Sequence, residues 1–333
     1  MLVVMSNPIF NKYNPRVARA FQAAVSDIKS RVVLSRLIAA IERNDIQAAL
    51  REINIEPAAY RAFELALSQA YEASAVAVTE ATVWRDRDLR RLSLRWNMAN
   101  PAAERYLASV SSDLVTNMVS GQVEAVRASI VNGYAQGQGP RNIALDVVGR
   151  VQANGVRQGG VVGLSAPQQA ARERVAQRLA DGDYRALLNM TTRDRSMDAM
   201  LRRGEPLTAA QRERYLRTYT NKSLKTRGDT IARTETARAV ETARFDAFNE
   251  GLGQTGYPPE AVTKTWLHGG GGMNPRDQHI AMHRVEVRGL NTPFILPDGA
   301  IMQHTHDQAG GARHTVNCTC ATRTKIDYGW GLV

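Results

Sequence analysis

Through most of the first 250 residues, apolar side chains recur every three or four positions, the period of a helix with one buried face. The stretch from Pro15 to Ile53 keeps that pattern with few breakers, and another runs from about Ala58 to Trp84. Asn100 followed by Pro101 marks a helix start: a side chain that can cap, then a ring preset for the first turn. Val115, Val119, Val123, Val126 and Ile130 then fall on one stripe, and the segment runs out at Gly133, Gly137 and Gly139. At about 30 residues this predicted helix is well beyond the average for globular proteins. Helices of that length usually pack along a partner or form a stalk.

Shorter helices are predicted from Gly139-Pro140 to about Val151, and from Ser165 as cap to Gly182 as stop. Between Gly204 and Gly251 the sequence predicts two helices. The first is capped by Thr208; the second starts near Asp229-Thr230 and ends at Gly251.

After Gly251 the pattern changes to short β-like runs at 261–267, 283–289 and 293–302, separated by Gly and Pro. Pro297-Asp298-Gly299 reads as the turn of a hairpin. The fold class expected is a mainly α N-terminal body with long helices plus a small α+β C-terminal module. Three segments follow from this: a helical region over 1–135, a second helical region over 136–251, and a small mixed β module over 252–333. There is no internal repeat.

Composition refines this picture. A chain of 333 residues that is 44% hydrophobic has room for at least one sizeable core. The apolar run at the N-terminus is about five residues, too short for a signal-peptide core or a membrane span, and no later stretch approaches one. Net charge is +11, and only six of the basic residues are lysines. Arginine forks suit phosphates and carboxylates, so an acidic partner fits, as does a merely solvated basic surface. The stretch containing Arg212, Arg214, Arg217, Lys222, Lys225 and Arg227, with Tyr215 and Tyr219 interleaved, fits either a footprint for DNA phosphates or one wet helix face. Glu235–Arg238 and Glu241–Arg244 read as surface i,i+3 pairs with no acid–base role.

All six histidines lie between His268 and His314, and the only cysteines, Cys318 and Cys320, follow at once. A disulfide between residues i and i+2 would be strained, because their side chains point to opposite faces of an extended chain. The thiols therefore suggest a reducing environment and another use. Imidazoles and thiolates are the usual zinc ligands, and a small module often needs a staple. The run from Asn274 to His283 reads as a short helix with Asn274 as cap, Pro275 first and Asp277 third. That spacing puts His279 and His283 one turn apart, suited to a shared metal. The same residues also fit an ordinary core, with a hydrogen-bonded histidine and two small buried thiols. A histidine nuclease using His304, His306 and Asn317 is a third arrangement. There is no G-x-S-x-G elbow, P-loop or H-E-x-x-H.

Four stretches, taken together, resemble the phage Mu F-like head morphogenesis proteins over roughly Gly137 to Arg323. They are "LKTRGDTIARTETARAV", "PRDQHIAMH", "FILPDGAIM" and "VNCTCATR", in that order. Arg276, His279 and Met282 fall on the family's arginine–x–x–histidine–x–x–hydrophobic pattern, and Leu296 to Gly299 on its leucine–proline–aspartate–glycine turn. Asp307 falls on a loop aspartate, and Asn317, Cys318 and Cys320 on the terminal motif. The chain departs from the pattern at Thr319, in the loop from His304 to His314, and in the four glycines Gly269 to Gly272. Set beside this resemblance, the expected metal site is His279, Cys318 and Cys320, with Asp307 or His283 as fourth ligand and zinc as the ion.

The resemblance implies a minor head protein of a tailed bacteriophage, bound at the portal vertex inside the head and made in the host cytoplasm. Its partners would be the portal protein, the major capsid protein and packaged double-stranded DNA, with no membrane. Its role would be structural, in assembly, DNA packaging or ejection, and not enzymatic. Some relatives carry a toxin after this module; none is expected in a sequence ending at Val333. The alternatives are a metal-dependent nuclease and a non-specific DNA-binding protein.

Overall fold

The computed structural model describes residues 7–270 and 275–331. The apolar start at residues 1–6, the glycines at 271 and 272, and Asn274, read above as a helix cap, lie outside the described residues. The helices are α1 (Pro8–Arg31), α2 (Leu34–Glu42), α3 (Ile46–Ile53), α4 (Arg61–Ala81), α5 (Pro101–Ser109), α6 (Thr116–Ala135), α7 (Pro140–Val148), α8 (Ala166–Asp181), α9 (Tyr184–Leu188), α10 (Asp198–Arg203), α11 (Ala209–Thr255), α12 (Asp277–Ala281) and α13 (Ala312–Thr315). The strands are β1 (Trp84–Arg85), β2 (Arg91–Leu92), β3 (Arg150–Val151), β4 (Arg157–Gln158), β5 (Val262–Leu267), β6 (Glu286–Arg288), β7 (Phe294–Ile295), β8 (Ile301–Met302) and β9 (Ala321–Ile326). The protein is therefore a mainly α body with long helices and a small α+β module at its C-terminal end. Among the described residues, no helix is long and apolar enough to cross a membrane.

Two compact units divide the chain, and they cut across the three consecutive segments expected from sequence. One is Met1–Arg19, Phe63–Val110 and Asp229–Val333; the other is Ala20–Ala62 and Ser111–Gly228. The β module therefore shares its unit with α4, α5 and the second half of α11.

Several local signals act as expected. Asn100 Oδ1 accepts from the backbone N–H groups of Ala102 and Ala103. Ser165 and Gln168 form a reciprocal capping box, and Gly182 ends α8 in the left-handed region at φ 74°. The long helix predicted from Asn100 is α5 and α6 joined by a wider π turn at Val110–Val115. The region expected as two helices from Gly204 to Gly251 is different: α11 is one helix of 47 residues. Gly228 does not break it. A Cβ there would stand 3.0 Å from the Phe21 ring, so glycine allows close packing rather than a stop. Gly251 does not end it either, because the Trp84 ring lies over the position a Cβ would take.

The interleaved Tyr215 and Tyr219 are core residues. They pack with Val175, Leu179, Leu187 and Leu201. In the other unit, β5 is the middle strand of an antiparallel sheet in the order β6-β5-β9, pairing Trp266 with Thr322 and Leu267 with Ala321. β7 and β8 form the expected hairpin, with Gly299 at φ 85° in its turn. Trp266, Phe294, Leu296 and Met302 build an apolar cluster that also contains both cysteines.

Candidate metal centre

α12 is a five-residue helix, and it carries His279 into the apolar cluster, where only 2% of the residue is exposed. The Trp266 ring stands edge-on to it at 5.2 Å. The cysteines arrive by a separate route. Asn317 takes φ 54°, a left-handed conformation that asparagine tolerates better than most residues. Its backbone N–H donates to Thr234 Oγ1 at 3.1 Å, and its Oδ1 accepts from Arg233 at 3.2 Å. Both partners lie on α11. The turn thus pinned delivers Cys318 and, after Thr319, Cys320 at the start of β9. A side chain at position 269 would collide with the Thr319 backbone, so glycine is required there. The Gly269 N–H in turn donates to Cys320.

His279 Nδ1 lies 3.5 Å from Cys318 Sγ and 3.5 Å from Cys320 Sγ, and all three donor atoms fall within 4.8 Å of one another. One imidazole lone pair cannot fully accept from two thiols. The separations instead match the roughly 3.5 Å between N and S that tetrahedral zinc imposes, given bonds of about 2.0 and 2.3 Å. The three residues could hold a metal ion. Both thiols are free, and they influence each other. Their mutual hydrogen bond pulls Cys320 below the ordinary thiol range and, with burial, pushes Cys318 well above it. A cavity of about 30 Å³ adjoins the donors and is also lined by His268 and Arg276, large enough for one water.

The two residues expected as alternative fourth ligands are not part of this cluster. Asp307 caps a turn: its carboxylate accepts from the Gln303 N–H at 2.7 Å and the Ala309 N–H at 3.0 Å. α12 ends at Ala281, so the one-turn relation of His283 to His279 is lost. His283 Nδ1 accepts from the His268 N–H at 3.1 Å instead. His304 and His306 are also occupied. They donate to the carbonyls of Thr305 at 2.7 Å and Cys320 at 3.0 Å, and both rings are buried. Burial pushes His306 below the ordinary imidazole range. These two rings and Asn317 thus each have internal hydrogen-bond partners.

Three further residues matter here that the sequence did not mark. His279 Nε2 meets His314 Nδ1 at 3.1 Å, and His314 Nε2 lies 3.0 Å from Asp298 Oδ2. That last contact is too bent for a full hydrogen bond and is chiefly electrostatic. No sequence spacing links positions 279, 298 and 314; Asp298 was read only as a turn residue, and His314 only as one of the crowded histidines. The third is Glu241, expected on the surface but 1% exposed. Its Oε2 accepts from the Thr322 N–H at 2.7 Å and the Thr305 hydroxyl at 2.9 Å, and its Oε1 from Arg244 at 2.8 Å. It ties β9 and the loop before α13 onto α11. Arg238 is likewise buried, and it donates to Ser109 Oγ at 2.8 Å.

Most of the expected phosphate-binding residues have internal partners. Arg214 reaches Ser196 Oγ at 2.9 Å and faces Asp194, Arg217 faces Glu213, and Lys222 donates to the Arg193 carbonyl at 2.5 Å. Arg227 donates to the Gly163 carbonyl at 2.7 Å. Arg212, Arg214 and Lys225 are exposed at the surface.

No protein-family model, curated protein or solved structure matches this chain.

Proposed function

We propose that this chain is a minor head protein of a tailed bacteriophage that acts structurally at the portal vertex, with its C-terminal module closed by a zinc ion. One observation carries the reading. The sequence stretches behind the family resemblance, scattered from Arg233 to Cys320, converge on one point. Arg233 and Thr234 hold Asn317; Asn317 sets the turn before Cys318; and Cys318 and Cys320 face His279. Arg276 donates to the carbonyls of Arg313 and Val316 and so braces the approach to that turn. The hairpin turn is part of the same group, since Asp298 faces His314. Residues that come together in this way are specifying a shape.

Zinc is the ion this donor set favours, because two thiolates and an imidazole in an apolar surround are borderline-soft ligands. When bound it supplies a cross-link between α12 and the start of β9. His279, Cys318 and Cys320 would hold it. The partners are portal protein, capsid protein and packaged DNA. Of the basic stretch, Arg212, Arg214 and Lys225 are exposed, and this exposed part of it would face phosphate.

The test is reconstitution with portal assemblies. Stable co-purification with portal, and no nicking of supercoiled DNA with added divalent metals, is the expected result. Metal-dependent nicking that His279→Ala abolishes would replace a structural protein with a nuclease. Heads that lack this protein yet package DNA and infect normally would contradict the proposed role outright.

A further inference from the structure

We propose that His314 and Asp298 are positioning residues for the metal ligand His279. They form an outer-shell chain that selects its tautomer and fixes its ring. The inference presupposes the metal centre proposed above.

Proton placement carries it. A metal at Nδ1 of His279 needs the lone pair there, so that ring must carry its proton on Nε2. This Nε2 lies 3.1 Å from His314 Nδ1, which must therefore present a lone pair. His314 then keeps its own proton on Nε2, 3.0 Å from an Asp298 carboxylate oxygen. This single assignment makes the His279–His314 hydrogen bond, leaves His279 Nδ1 open towards the sulfurs, and turns the remaining N–H to the Asp298 carboxylate as an electrostatic contact. Moving either proton would set two lone pairs or two N–H groups face to face, or would cover the nitrogen that faces the sulfurs.

The surroundings hold the chain in place. Both imidazoles are 2% exposed, so little water competes for them, and their planes lie within 16° of one another. Arg276 grips the carbonyls of Arg313 and Val316, on either side of His314. Arg313 meets the same Asp298 carboxylate at 3.3 Å. The carboxylate belongs to the β7–β8 turn, so metal retention and the setting of that hairpin become one property. Histidines that bind metals commonly donate their second nitrogen to such a partner, and its loss weakens binding by about 10–100-fold.

The experiment measures zinc affinity of the full-length reduced protein by competition with a chromophoric chelator. His314→Ala is expected to weaken binding about 10–100-fold, and Asp298→Ala, at a partly exposed turn, less. His314→Asn should restore part of the loss, because its Oδ1 can accept from His279 Nε2–H. Nitrogen-15 NMR of the zinc-loaded wild type, which needs no variant, should show both rings protonated at Nε2. Zinc affinity unchanged in both alanine variants, or a proton on His314 Nδ1, would overturn the inference while leaving the metal centre standing. A wild type that takes up no zinc would remove the centre itself and the outer shell with it.

Discussion

Glu241 and Lys29 show how much depends on single buried charges. Glu241 accepts three hydrogen bonds with 1% exposure, and two of them come from the β9 end of the module and the loop before α13. Glu241→Ala should destabilise the protein by about 3–5 kcal/mol, the usual cost of leaving such a network unpaired, as read by urea unfolding. A loss below about 1 kcal/mol, the range of exposed pairs, would mean the carboxylate is not the anchor described. Lys29 is buried, and its ammonium donates to the Gly159 carbonyl at 2.7 Å. Burial, with a smaller push from Arg172, lowers it from 10.5 to about 7. Between pH 7 and 10.5 the unfolded chain therefore binds the extra proton, and stability rises with pH. Below pH 7 both states are protonated and the unfavourable contribution is complete. Relative to Lys29→Met, the wild type should gain roughly a few kcal/mol from pH 7 to pH 10. Parallel pH profiles for the two would count against it.

At the scale of elements, glycine separates packing from stopping. Gly251→Ala pushes a methyl group into the buried Trp84 ring and should cost about 1–3 kcal/mol. Gly253→Ala, two residues along the same helix, meets nothing within 4 Å and should stabilise by about 0.5–1 kcal/mol. Melting temperatures that move in the same direction would refute that distinction. It is also why α11 was not legible as one helix: a glycine that admits a ring and one that ends a helix look alike in sequence. Caps were legible because they are local, as at Asn100, Ser165 and Gly182, and so was the Pro297-Asp298-Gly299 turn. β9 was missed because its only apolar residues, Ala321 and Ile326, stand at its two ends, and the buried position beside Ala321 is a polar residue, Thr322, whose hydroxyl accepts from the Thr305 N–H. The two-residue strands β1 to β4 are shorter than any repeat that a pattern could reveal. At the candidate site, the meeting of His279 with Cys318 and Cys320 was foreseen. The fourth-ligand expectation failed because Asp307 serves backbone amides as a turn cap, and because α12 stops before His283.

For the whole molecule, the central matter is whether the thiols at the start of β9 and the imidazole of α12 share an ion. The C-terminal strand is held by three independent means: its pairing with β5, the Glu241 carboxylate, and the His279–Cys318–Cys320 cluster. If a metal sits in the cluster, chelation should expose the region from Pro275 to Ile326 to limited proteolysis before the α2–α3 region is touched. Uniform cleavage of the two regions would mean that the cluster contributes nothing local. The most direct measurement is elemental analysis of the full-length protein, purified under reducing conditions without chelator. About one zinc per chain, lost on Cys318→Ala or Cys320→Ala, is the predicted result. A folded protein that contains almost no zinc, and whose melting temperature does not change when zinc is added, would contradict it.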